Sequence, residues 1–235
     1  MAQPTVTALE IVEDFTSTGR CDEGFLHVRR LRVRNRRSDD STSKVYRVDV
    51  VDRPRLDAVA VIVWRQGAIG LEFLIRQNLR PAAYFRKDRS SVVADDRSFL
   101  YCDEIVAGLL EPTDQGEGGL QQRAAAEVFE EAGYKVTPGE IELLGPPFFV
   151  APGILSEKIF LAAVDVTGKT QGDAPGDGSP LEEGGDTSWL GLSEMHAAIQ
   201  SGRIQDAKTE LGFMRFLNRR MNNLNRETFA KINST

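Results

Sequence analysis

The stretch AGLLEPTDQGEGGLQQRAAAEVFEEAGY, residues 107–134, decides how the rest of the chain is read. It opens on a glycine turn at Gly108, crosses a glycine-rich segment and ends in a predicted helix that stops at Gly133. Leu120, Ala124 and Val128 recur at helical spacing and form its buried stripe. Glu127, Glu130 and Glu131 stand at i, i+3 and i+4, so they share a different face. That placement opposes helix stability. Like charges repel at this spacing, and carboxylates in the last turn meet the negative end of the helix dipole. Either the acids form a solvated face, or they cradle a divalent cation such as Mg2+, whose preference for oxygen ligands would remove both penalties.

On both sides of this helix the chain reads as strands. DAVAVIVW (57–64) is a nearly continuous apolar run, as a central strand covered on both faces requires. After a turn at Gln66–Gly67, GLEFLIRQ (70–77) is its hairpin partner, and CDEIVAGLLE (102–111) is a strand running into the opening stretch. SEKIFLAAVDV (156–166) and TSWLGL (187–192) are further strands. SEMHAAIQSG (193–202), with a Ser cap and a Gly stop, and DAKTELGFMRFLNRRMNNL (206–224) are helices. The polar segment 78–100 is long enough to be a functional loop, and 168–186, rich in Gly, Asp and Pro, reads as a mobile one.

Upstream, FLHVRRLRVRNRR (25–37) and VYRVDVVDRP (45–54) flank the turn-rich SDDSTS and predict an antiparallel hairpin. Its arginines (Arg29, Arg30, Arg32, Arg34, Arg36, Arg37) either meet an acidic partner or a phosphate, or form a solvated edge that resists aggregation. The expected organisation is an N-terminal β appendage over 1–55, a main domain over 56–224 and a polar tail over 225–235. Strand-rich halves around one helix, with helices at the end, predict an α/β chain of the mixed (α+β) kind rather than a βαβ series. There is no Walker A motif and no dinucleotide-binding glycine fingerprint after a strand.

At 235 residues, with 41% hydrophobic and 27% charged residues, the chain suits one domain with an appendage and a full core. A net charge of −6 argues against nonspecific nucleic-acid binding, while leaving an anionic substrate open because bound cations invert the local field. Cys21 and Cys102 are too few for a disulfide framework and read as thiols in a reducing compartment. The absence of a signal-like N-terminal pattern, and of any apolar run approaching ~18 residues, predicts a cytoplasmic protein with no membrane segment. His27 and His196 are isolated, so neither supports a histidine-based site, and Trp64 and Trp189 within strands read as core.

Residues 107–134 resemble the Nudix box, G-x5-E-x7-R-E-U-x-E-E-x-G-U with U aliphatic. Gly108 matches the leading glycine, Glu117 the upstream acid, Glu127 the Glu of Arg-Glu, Val128 the aliphatic position, Glu130–Glu131 the paired acids and Gly133 the closing glycine. The stretch departs from the pattern at Ala126, which stands where the family has arginine, at Tyr134, and in two gaps that are too long. Arg123, one turn before Glu127, is placed to pair with it instead. RQNLRP (76–81), EIVAGLLE (104–111), APGILSEKIFLA (151–162) and GRIQDAKTELGFMRFL (202–217) extend the resemblance to the ADP-ribose and nucleoside-diphosphate-sugar pyrophosphatases of that family.

The resemblance implies a mixed sheet sandwiched between helices and a homodimer joined through the β appendage. It also implies Mg2+-dependent (or Mn2+-dependent) hydrolysis of a nucleoside diphosphate linked to another moiety. The implied metal ligands are Glu127, Glu130, Glu131 and the carbonyl of Ala107. The general base is Glu182 or Glu183 on the late loop, the latter slightly favoured, with Glu157 another candidate. Arg76 and Arg80 are the expected phosphate partners, with Arg53 a further substrate contact. GDP-mannose or a dinucleotide such as NADH are alternative substrates. From a different class, a catalytically degenerate domain that senses nucleotides is the reading Ala126 would favour.

Overall fold

The computed structural model describes residues 24–232 apart from 96 and 177, together with 7, 10, 11 and 20, and side chains as far as Asn223. Cys21 and most of the segment before Gly24 lie outside the described residues; Cys102 is a free, half-buried thiol.

Strands β1 (His27–Val33) and β2 (Tyr46–Asp52) pair antiparallel as the expected hairpin, with His27 opposite Asp52. They form a two-stranded sheet of their own, largely exposed on both faces. The hairpin is stitched to the body where Val51 N–H donates to the Ile154 carbonyl at 2.8 Å and Ser156 donates to Asp52.

The body is an eight-stranded mixed sheet. β3 (Ala58–Gln66) lies at its centre, antiparallel to β4 (Leu71–Leu79) and parallel to β9 (Lys158–Asp165). β10 (Thr187–Gly191) adds to the far side of β4, while the two-residue strands β7 (Glu142–Leu143) and β8 (Phe148–Phe149) pair with β9. The apolar run of β3 divides by parity as a doubly covered strand must. Ala58, Ala60 and Ile62 join one core cluster, with Phe73, Met195, Phe213 and Phe216. Val59, Val61 and Val63 join the other, with Leu120, Ala124 and Val128. Helices α3 (Leu192–Gln200) and α4 (Ala207–Ile232) cover the first face and α2 (Gly116–Ala132) the second, which bears out the mixed α+β sandwich.

Four local readings are corrected. The predicted strand over 102–111 is two strands, β5 (Tyr101–Glu104) on β4 and β6 (Val106–Leu109) on β3, because the chain changes partner at Ile105. Residues 78–100 are not all loop: Pro81–Tyr84 form a short helix, α1, continued by a 3-10 turn at Phe85–Asp88. Helix α3 starts a residue before Ser193, and its N-cap is Gly191, whose N–H donates to Glu194 at 2.8 Å. Helix α4 runs to Ile232 instead of stopping at 224, so its backbone takes in most of the predicted polar tail.

Helix α2 ends as its sequence predicts. Gly133 adopts φ 71°, and its N–H donates to the Phe129 carbonyl, closing the turn as a left-handed glycine does. A Cβ at Gly133 would also overlap the carbonyl of Gly172. The late loop 168–186 can therefore lie against the helix end, where Gly172 N–H bonds Gly133 and Gly176 N–H bonds the Glu130 carbonyl, both at 2.9 Å. The segment read as mobile is thus docked along α2.

Candidate active site

The acidic face of α2 is turned toward the start of β6, and that packing depends on a glycine. A Cβ at Gly108 would overlap the Glu127 carboxylate, so only a residue without a side chain lets the acid lie against the strand. One turn on, Glu131 is held from two sides: it accepts the Ala107 N–H at 2.9 Å and an Arg76 Nη1–H at 2.6 Å. Arg76, on β4, is 5% exposed and also donates to Asn78 at 3.0 Å and to Glu182 at 3.2 Å. Its guanidinium therefore joins Glu131 of the helix to the late loop, while its Nε has no hydrogen-bond partner among the described residues.

These carboxylates outnumber the cations that hold them. Burial pushes Glu127 up to about 7, reinforced by the negative charges of Glu131 and Glu130 and offset only in part by Arg123. Burial raises Glu131 as well, against the pull of Arg76 and of the Ala107 N–H. Arg123 reaches Glu127 only at 3.8 Å, as an i,i+4 pair, because its Nε donates to Asp114 at 2.8 Å. Asp114 is the sixth residue after Gly108, and it fills the place that the sequence reading gave to Glu117. Glu117 is exposed in the first turn of α2, about 21 Å along the axis from Glu131.

Among the described residues, no three His, Cys, Asp or Glu side chains converge closely enough to hold a metal ion. The donor set nevertheless suits a hard cation: the acids are all oxygen donors on one helix face, and burial disfavours the ionised forms of Glu127 and Glu131. Here Arg76 is the positive charge lying between Glu131 and Glu182.

Arg76, Glu131 and Glu182 form a wall shared by two lobes of one cleft, of about 510 and 620 Å³. The smaller lobe brings together Arg53, Arg76, Arg80, Ala107, Glu131 and Glu157 from the sequence-predicted set. Glu130 and Glu183 line the larger lobe beside the late loop. Glu182 turns its carboxylate to Arg76, whereas Glu183 is exposed. Arg53 is paired with Glu157, whose carboxyl is raised by burial. Arg80 donates Nε and Nη2 to the two oxygens of Glu104, both at 2.7 Å. Outside the cleft, Trp64 packs beneath Arg220, Trp189 beneath Arg65, and His196 against Phe213.

Sequence reasoning missed Asn78, Glu104, Asp114 and Lys208. Asp114 was within reach, since the spacing from Gly108 marks it. Glu104 carried a weaker signal, a charge inside an apolar strand run. Nothing in the amphipathic pattern of 206–224 distinguished Lys208.

No protein-family model matches the chain, and no curated protein matches it either. Among solved structures it is similar to a crystal structure of an ADP compounds hydrolase, with a TM-score of 0.58 and 14% sequence identity. The match covers 85% of this chain and 95% of that one. At that identity the likeness is one of fold. No helix among the described residues is long and apolar enough to cross a membrane.

Proposed function

We propose that the chain is a Nudix-type pyrophosphatase that uses Mg2+, or Mn2+, to hydrolyse the diphosphate of ADP-ribose or a nucleotide sugar. The observation that carries this reading is the wall of Arg76 between Glu131 and Glu182, next to Glu127 seated on Gly108. A buried excess of carboxylates beside convergent arginines suits a doubly charged phosphoanhydride bridged by cations. The fold shared with a hydrolase of ADP compounds supports the same substrate class.

Glu127, Glu130, Glu131 and the Ala107 carbonyl would hold the ions. When bound, these neutralise the phosphates and acidify an attacking water. Arg76 and Arg80 orient the phosphate oxygens, and Arg53 contacts the substrate from the hairpin side. Glu182, whose carboxylate is held against Arg76 in the wall of the cleft, takes the proton from the attacking water; Glu183, exposed at the rim of the larger lobe, is the weaker choice. Water adds its oxygen to one phosphorus while the bond from that same phosphorus to the bridging oxygen breaks, and the bridging oxygen leaves with the other phosphate, giving a nucleoside monophosphate and a phosphorylated second moiety. We further propose that the exposed β1–β2 hairpin joins two copies of the chain, which sedimentation of the full chain against one lacking residues 1–55 would test.

Incubation with Mg2+ and ADP-ribose, UDP-glucose, GDP-mannose or NADH tests the activity. Monophosphate release from at least one is expected. If none is cleaved while nucleotides raise the melting temperature without metal, the protein is a nucleotide sensor instead.

A further inference from the structure

The carboxylate that neutralises two cations of the cleft wall, Arg80 and Lys208, belongs to none of the roles above. Glu104 is 3% exposed and ends β5 at the point where the chain leaves β4 for β3. It stands directly across from Arg76 in the β4–β5 register. Both of its oxygens are engaged by the Arg80 fork, and Lys208 of α4 donates to the same oxygen that takes Arg80 Nη2. Lys208 is fixed in turn by Asp206 at 3.0 Å. Asp206 also caps α4 by accepting the Thr209 N–H at 3.0 Å, and the Thr209 hydroxyl accepts the Ile105 N–H at 3.0 Å. Successive residues of the strand break thus bond successive residues at the start of α4.

This clamp takes one edge of the Arg80 guanidinium and not the other. Nε and one N–H of Nη2 are taken by Glu104, whereas Nη1 has no hydrogen-bond partner among the described residues. Arg80 and Lys208 both line the smaller lobe, and the Arg80 side chain is 45% exposed. A guanidinium held by two parallel bonds on one edge loses its rotamer freedom before a ligand arrives, so it presents the free edge at no further entropic cost.

We propose that Glu104, braced by Lys208, is a positioning residue that holds Arg80 with its free edge toward a phosphate of the substrate. The inference rests on the proposed diphosphate-binding role of the cleft and adds two residues to it, one of them from a helix otherwise occupied with covering the sheet.

The test is a double-mutant cycle read by calorimetric binding of ADP in the presence of Mg2+. Glu104→Gln should weaken binding roughly 10-fold, since one of the two parallel bonds loses its charged acceptor. In the Arg80→Ala background the same change should have no further effect. Kinetically, KM rises by a similar factor while kcat stays within about twofold, as expected for loss of uniform binding. Lys208→Met should weaken ADP binding about threefold, again only when Arg80 is present, and it tests the clamp if Glu104→Gln does not fold. Wild-type affinity in Glu104→Gln, or a full 10-fold loss in the Arg80→Ala background, overturns the proposal, as does a wild-type protein that does not bind ADP. A wild type that binds ADP yet cleaves none of the diphosphates overturns the hydrolase reading alone, and the cycle still decides the role of Glu104.

Discussion

Glu104 and Glu127 are both buried next to residues that line the cleft, Glu104 against Arg80 and Glu127 against Gly108, with side chains only 4% and 12% exposed, yet their surroundings treat them in opposite ways. For Glu104, burial alone would raise the carboxyl, but the bonds from Arg80 and the charge of Lys208 outweigh it and leave it below the usual range. For Glu127, burial and the neighbouring Glu131 and Glu130 act together, and one cation at 3.8 Å does not compensate. The first carboxylate is complete as it stands, which is how a structural ion pair is built. The second is favoured as an acid or beside a further positive charge, as the proposed cation site requires.

The contrast is broken most forcefully at Glu104. Glu104→Ala leaves Arg80 and Lys208 facing each other across a buried gap, and chemical denaturation should show a loss of about 3–5 kcal/mol. Glu127→Gln should act in the other direction. At pH 8 without divalent metal it removes a poorly compensated charge, so the variant should be more stable than wild type, by up to about 3 kcal/mol. If Glu127→Gln is destabilising under those conditions, Glu127 is paired as well as Glu104 and the comparison fails.

The same pair differs in the sign of its pH dependence. Glu127 has a folded-state value near 7 against 4.5 for the ordinary carboxyl, so between these the folded protein binds the extra proton. Its contribution is therefore fully present below about 4.5 and is lost as the pH rises through about 7, by about 3 kcal/mol in all. Glu104 is lowered, so its contribution is present above the usual carboxyl value and disappears on acidification below it. Metal-free denaturation from pH 5 to 8 should show falling stability in wild type and a flatter profile in Glu127→Gln. Millimolar Mg2+ should restore stability at pH 8, because a cation bound only by the folded state adds its binding free energy.

Activity separates the two centres less steeply than stability does. Glu131→Gln keeps an acceptor for the Ala107 N–H but removes a charge that Arg76 and a metal ion would share. Diphosphate hydrolysis should fall roughly 100-fold, about 2.7 kcal/mol of barrier, with circular dichroism unchanged. Retention of full activity would remove Glu131 from the metal site.

How much of this was legible follows from which interactions are local. The nearly continuous apolar run of 57–64 and the stripe of Leu120, Ala124 and Val128 announced a sheet covered on both sides, and the structure has it. The acidic face of α2 was equally readable, since i, i+3 and i+4 fix it without reference to anything else. Glu104 was not, because its burial depends on a change of strand partner at Ile105 and on the distant start of α4. Neither leaves a mark in an apolar run. The late loop looked mobile from composition, but its backbone bonds the end of α2, Gly172 to Gly133 and Gly176 to Glu130, and it is Gly133 that makes room for it. Between Glu182 and Glu183 the sequence slightly favoured the latter, whereas the loop's path turns Glu182 toward Arg76.

The smallest effect is expected where the sequence departs from the pattern it resembles. With Ala126 in the arginine position, Arg123 serves two acids, Asp114 at 2.8 Å and Glu127 at 3.8 Å. It makes one short bond, to Asp114, where Glu104 takes a two-bond fork from Arg80 and a further bond from Lys208, so its pairing is weaker than the Glu104 clamp. Arg123→Gln should cost about 1 kcal/mol in denaturation at pH 5, where Glu127 is protonated and only the Asp114 pair is lost. At pH 8 without metal the loss should be larger, because Glu127 then lacks the one cation that lowers it. A cost independent of pH would mean that Arg123 serves Asp114 alone and that Glu127 depends wholly on an incoming cation.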